Sequence, residues 1–127
     1  MRSILAYAWA SPNSLIGLAA GGAMILLGGQ ARRIAGVLEV AGGLVGTQLG
    51  RKRIALPWRA ITLGHVILGI DAAALEQSRA HEHVHVRQYE RWGVGFWPAY
   101  LLSSARAKLR GGDAYRDNRF EKEARGE

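Results

Sequence analysis

The chain of 127 residues contains no cysteine. That excludes a disulfide framework, a Cys-type zinc finger and a cysteine nucleophile, so any bound metal must rest on histidine and carboxylate ligands. Histidine is also scarce. There are four, and three of them, His81, His83 and His85, fall inside "HEHVH". Charge is missing over a long stretch, since no charged residue lies between Arg2 and Arg32. There is no internal repeat and no low-complexity tract, and the length suits one domain with one modest core. The formal net charge is +7. No nucleic-acid-binding motif accompanies it, so nucleic acid is not an expected partner, whereas the anionic face of a membrane suits the same charge.

Within the uncharged stretch, "LIGLAAGGAMILLGG" (15–29) is wholly apolar or glycine. A helix over those residues alone spans about 22 Å, short of a hydrocarbon core of ~30 Å, and "ILAYAWA" (4–10) would make it long enough. Between them, "SPNS" places Ser11 and Pro12 as an N-cap and first helical residue, which starts a helix rather than continuing one. The readings, in order, are a tilted or kinked membrane helix, a short apolar hairpin in the interface, and a signal peptide; a buried helix packed through its glycines is the plain structural alternative. Residues 1–31 therefore form an apolar N-terminal segment, membrane-associated or a packed helix; the expected location of the protein is membrane-associated, and the alternative is cytoplasmic. Residues 32–127 form the remaining domain.

From 33 to 70, β-branched and leucine-rich pieces alternate with glycine. Gly36 supplies a turn between "RRIA" and "VLEV"; "RIALPW" reads as a strand edged by Pro57; "AITLGHVILGI" (60–70) reads as one buried strand through Gly64. Asp71 then begins a helix over 72–93 with Gly93 as its C-cap. A second helix over 96–110 is opened by Pro98, and Asn118 caps a short terminal helix ending at Ala124. The fold class is α+β.

On the helix at 72–93, His81 and His85 are one turn apart and can point at a common atom. Glu82, rotated roughly 100° from His81, stands beside that atom. "HEHVH" is thus a complete H-E-x-x-H, in which two histidines bind zinc and the glutamate is general base toward a metal-bound water. His83, roughly 200° away, is expected to face solvent. A catalytic zinc needs a third protein ligand. His65 is the other histidine, read as a strand residue with a backbone partner; "NRFEKEA" offers Glu121 and Glu123. Glu121 is preferred because Ala124, one turn on, lets its helix approach closely.

His81, Glu82 and His85, with Gln88 completing H-E-x-x-H-x-x-Q and Glu121 followed by Ala124, resemble the gluzincin clan of zinc metallopeptidases. The similarity is to its shortest members, the minigluzincins, and to small bacterial zinc-peptidase-like proteins, and it covers roughly residues 60–125. It implies a minimal zincin-like domain: a small β-sheet, an active-site helix carrying His81, Glu82 and His85, and a short helix carrying Glu121. It further implies Zn2+ as cofactor, a peptide or protein substrate, and an edge strand at 60–70 that pairs with it. Arg125 stands where many gluzincins place an acid that supports a ligand histidine. Asp117, Asp113 and Gln88 are the residues available for that supporting part. Tyr115 and Tyr89 are available for the oxyanion donor that larger relatives carry.

Two other functions fit the sequence: a non-catalytic membrane-associated zinc protein with His65 or Asp117 closing a four-ligand site, and a basic interaction module without metal. "WGVGFWPAYLL" (92–102) reads as core or as an interfacial aromatic patch holding Trp92, Trp97 and Tyr100. The basic run 51–53 reads as a solvated loop able to meet lipid headgroups.

Overall fold

The computed structural model describes residues 3–47 and 58–127. The strand expected from "RIALPW" falls almost wholly outside the described residues, as does the basic run 51–53.

The uncharged N-terminus forms a single helix, α1 (Ile4–Leu26), capped by the Ser3 side chain. Pro12 lies inside it and does not start it. A proline there leaves the carbonyl four residues back without its N–H partner. The Ser11 hydroxyl supplies the missing hydrogen bond, donating to the Ala8 carbonyl at 2.8 Å. "SPNS" is therefore a repaired helix interior, and the break expected at Pro12 does not occur. Among the described residues no helix is long and apolar enough to cross a membrane.

Two strands follow as a hairpin, β1 (Gly29–Ile34) and β2 (Val37–Gly42), joined by Ala35 and Gly36, which both have positive φ (52° and 78°). That is the two-residue turn whose twist matches an antiparallel pair. The segment expected to be one strand through Gly64 is a second hairpin, β3 (Ala60–Leu63) and β4 (Val66–Gly69). Gly64, at φ 64°, makes the turn, and a Cβ there would lie 2.3 Å from the Ser14 hydroxyl oxygen. That hydroxyl accepts from the His65 backbone N–H at 2.9 Å, fastening the turn to α1. The sheet order is β1-β2-β4-β3, with β2 and β4 parallel, so β3 is an edge strand.

Alternation then divides the sheet residues between two faces. Val40, Val66 and Leu68 pack against Met24 of α1. On the opposite face, Val37 and Ile67 pack against Leu75 and Val86 of α2 (Ala72–Trp92). Asp71 caps α2 through the Ala74 N–H, and Gly93 ends it, as expected from sequence. Buried Glu39 on β2 faces the same helix and is gripped by both guanidinium arms of Arg79, at 2.8 and 3.0 Å. His83 lies beside this pair, 3.7 Å from Glu39 and largely covered, so it does not face solvent as expected.

After a short 3-10 turn, α3 (Phe96–Leu109) begins two residues before Pro98. The ring sits in the first turn, where its missing N–H costs nothing. The last helix, α4 (Arg119–Ala124), is capped by Asn118, whose side chain accepts from Phe120 N–H and donates to the Tyr100 carbonyl and the Ser104 hydroxyl. Six residues cannot hold a helix alone. Packing of Phe120 against Tyr89, Phe96 and Ala10 holds this one.

On α1, an added Cβ at Gly17 would lie 2.7 Å from the Val66 Cβ, while one at Gly22 would meet nothing within 4 Å. Gly22→Ala should raise unfolding stability by about 0.5–1 kcal/mol through helix propensity. Gly17→Ala should lower it despite the same propensity gain; urea unfolding of the two variants measures the difference, and equal shifts would contradict the close helix-sheet contact.

Candidate metal centre

The H-E-x-x-H residues lie on the half of α2 that passes over β3 toward α4. His81 Nε2 and His85 Nε2 are 3.2 Å apart, and Glu121 Oε1 lies 3.0 Å from the first and 3.1 Å from the second. These are donor atoms from two helices 36 residues apart in sequence, converging on one point. Ligands at bond lengths of about 2.0–2.2 Å in a tetrahedron stand about 3.3–3.5 Å from one another, so a small metal ion needs only a slight spreading of these three. His85 and Glu121 are buried, and His81 is partly open to solvent.

The side chains behind the three converging atoms are hydrogen-bonded more fully than the sequence suggested. Gln88 is fully buried, and its amide nitrogen faces two acceptors, the Phe120 carbonyl at 3.0 Å and Glu123 Oε1 at 2.7 Å. Its amide oxygen must therefore face His85, whose Nδ1 lies 2.8 Å away. An oxygen at that place requires Nδ1 to carry a proton, so when the ring is neutral it is Nε2 that directs its lone pair at the cluster. Glu123 is held in turn by Arg91 at 2.6 Å. Glu123, named as an alternative third ligand, instead supports the amide that orients one. Arg125, in the place where an acid was expected, turns to the Arg116 carbonyl and Glu127.

Tyr100 was read only as part of an aromatic patch. Its hydroxyl donates to Glu121 Oε2 at 2.7 Å, leaving Oε1 for the histidines. Nothing in its spacing from Glu121 marks it, since the contact depends on the crossing of α3 and α4. Asp117 and Asp113 lie outside the centre: Asp117 accepts from the Asp113 N–H, and Asp113 from the N–H groups of Tyr115 and Arg116, closing their own loop. His65 is also elsewhere. It sits in the β3–β4 turn with Nε2 2.8 Å from Glu90, a carboxylate in place of the backbone partner expected. Neither His65 nor Asp117 closes a fourth position. Tyr89 commits its hydroxyl to the Thr62 carbonyl at 2.8 Å, so it is not a free donor.

Glu82 points to the edge strand, where its Oε1 accepts from the Thr62 hydroxyl at 2.8 Å, and its Oε2 lies 3.9 Å from His81 Nε2. Burial pushes its carboxyl up from the ordinary carboxylate value; His85 and the Thr62 hydroxyl pull it back without cancelling the rise. Burial also opposes ionisation of Glu121, yet hydrogen bonds from His81 and His85 outweigh it and hold that carboxyl far below the usual range. His85 feels the reciprocal effect. Burial lowers it, but Glu121 and Gln88 raise it further, to a net rise above 6.5. All four side chains open on a cavity of about 740 Å³ whose other walls include Trp58, Ile61, Trp97, Tyr100 and Tyr115.

Because His85 is raised on folding, its contribution to metal-free stability is complete below about pH 6.5 and is lost as pH rises through the higher folded value. A bound metal competes with that proton, so metal affinity should rise over the same interval and then level off. Titration calorimetry in buffers of different ionisation heat would measure the proton released. Gln88→Leu removes the acceptor that sets the His85 tautomer and should weaken metal binding about 10–100-fold. An unchanged affinity would show that the amide does not orient the ligand.

In comparison with known proteins, the chain matches no family model, no curated protein and no solved structure.

Proposed function

We propose that this chain is a zinc-dependent, gluzincin-like hydrolase acting on peptide bonds, with His81, His85 and Glu121 as metal ligands and Glu82 as general base. The observation that carries this reading is the convergence of the three ligand atoms beside a buried carboxylate, at the wall of a cavity bordered by an edge strand. Zinc suits the donor set: two imidazole nitrogens and one carboxylate oxygen, with no sulfur in the chain's cysteine-free composition. Among the described residues no fourth histidine or carboxylate joins the group, which favours an open site over a closed structural one.

A zinc ion held there supplies Lewis acidity, lowering the pKa of a water toward about 7. Glu82, its carboxyl raised by burial, accepts the proton of the attacking water and returns it to the leaving amine. The Thr62 hydroxyl fixes Oε1 of that carboxylate, so Oε2, the oxygen nearer His81, is the one free to move a proton. Tyr115, on the cavity wall beside Glu121, is the hydroxyl assigned in this reading to donate to the developing oxyanion. Along β3, Arg59 points its carbonyl inward to Ile70, so by alternation Ala60 and Thr62 present theirs outward. Tyr89 already occupies the Thr62 carbonyl, so an extended substrate would pair through Ala60 and the Thr62 N–H.

Glu82→Gln should retain stoichiometric zinc by elemental analysis and lose about 10²–10⁴-fold in kcat on unstructured peptides. Tyr115→Phe should lower kcat by about 10–10³-fold with little change in KM. Absence of stoichiometric zinc from the purified wild type, or full activity in Glu82→Gln, would overturn the assignment.

A further inference from the structure

Helix α1 is built inside out. Its buried residues are small or polar, Ala10, Asn13, Gly17 and Gly21, with Met24 the one large apolar side chain among them. The large aliphatic side chains point away from the protein: Leu5 is 80% exposed, Leu15 65%, Ile16 60% and Leu26 89%, with Ile4, Leu18 and Ile25 alongside. Trp9 lies on the same outward surface, against Gly93, and Val94 beside that glycine is exposed as well. No charged residue interrupts this face over a helix about 34 Å long. Ordinary amphipathic packing puts large side chains inward and polar ones outward, and an exposed apolar stripe of this extent marks a surface that another phase or molecule covers.

Charge identifies the covering. Residues 1–70 carry seven basic residues and one acid, whereas residues 71–127 carry ten and nine. The single acid, Glu39, is buried and turned to the opposite face of the sheet, where Arg79 takes it. Arg32 and Arg33 are exposed on the edge strand just beyond α1, and Arg33 is paired across from Leu38, which puts it on the α1 side of the sheet. A second copy of the chain docked on this face would bring the Arg32 and Arg33 side chains of two chains together. An anionic lipid surface would attract them.

We infer that the outward face of α1 lies in the interface of an anionic membrane, with the helix parallel to the bilayer and its aliphatic side chains among the acyl chains. The protein then rests on the membrane without crossing it. The C-terminal half of α1 packs on the sheet through Gly17, Gly21 and Met24, while its N-terminal half packs directly on the end of α2, where the Asn13 amide donates to the Gly93 carbonyl. The candidate metal centre lies on α2 and α4 and not on the outward face of α1. This placement is independent of the chemistry proposed for the centre.

Because the chain has no cysteine, a single substitution gives a single labelling site. Full-length Leu18→Cys and Glu76→Cys, each carrying an environment-sensitive fluorophore, would be mixed with vesicles of phosphatidylcholine alone or with added phosphatidylglycerol. The Leu18 probe should shift to the blue and brighten with the anionic vesicles, and the Glu76 probe, on the opposite layer, should not. Leu15→Asp with Leu18→Asp should reduce the partition coefficient at least about tenfold. Raising salt from about 0.1 M to about 1 M should weaken the attraction that draws the basic half to the surface. The Leu18 probe keeps the test decisive if the aspartate variant fails to fold. Absence of vesicle binding, equal response at both probes, or a concentration-dependent dimer abolished by the same α1 changes would overturn the inference.

Discussion

A carboxylate held out of water must have its charge answered on every side, and Glu121 is where this fold meets that requirement. One oxygen faces two imidazoles and the other faces the Tyr100 hydroxyl. Satisfying it commits three helices at once, since the histidines lie on α2, the tyrosine on α3 and the carboxylate on α4. Each partner is then constrained by something behind it. His85 is turned by Gln88, Gln88 is anchored at the backbone of α4, and α4 is held by the Asn118 cap and the buried ring of Phe120. Removing the carboxylate's charge while keeping its shape would therefore loosen packing as well as a ligand set, because unanswered buried polar groups cost more than the bonds that answered them gain.

The same arrangement gives two neighbouring glutamates opposite behaviour. Glu121, between hydrogen-bond donors, is held ionised; Glu82, on the neighbouring helix and hydrogen-bonded to the Thr62 hydroxyl, is pushed by burial toward holding a proton despite the nearby His85 and His81. Environments that push two carboxylates apart in this way separate the role of ligand from that of proton carrier. The division follows from burial and hydrogen bonding alone and needs no difference in residue type.

Much of the fold was legible because it is encoded locally. Asp71, Gly93 and Asn118 are caps with short-range partners, and they mark both ends of α2 and the start of α4. His81 and His85 are legible through helical period, and Glu121 through the small residue one turn beyond it. What escaped depends on distant segments meeting. Gly64 is flanked by apolar residues on both sides and looks like the middle of a strand; its turn is fixed by Ser14, which belongs to another layer. Pro12 reads as a break until Ser11 is seen returning a hydrogen bond to Ala8. Tyr100, Arg79 with Glu39, and His65 with Glu90 are pairings across 20 or more residues that no periodicity announces.

Arg91 has a position whose consequence reaches beyond the ion pair it makes. Its backbone carbonyl accepts from the Trp9 indole at 3.3 Å, while its guanidinium holds Glu123. Trp9 belongs to the outward surface of α1, and Glu123 steadies the amide that aims His85. Five residues, Trp9, Arg91, Glu123, Gln88 and His85, thus form one continuous linkage from the apolar exterior to an imidazole in the centre. The Trp9–Arg91 and Arg91–Glu123 links are solvent-exposed, so each resists a shift of α1 by no more than about 1 kcal/mol. The inside-out helix and the buried histidine are joined through the C-terminal end of α2, where α1 packs on that helix directly.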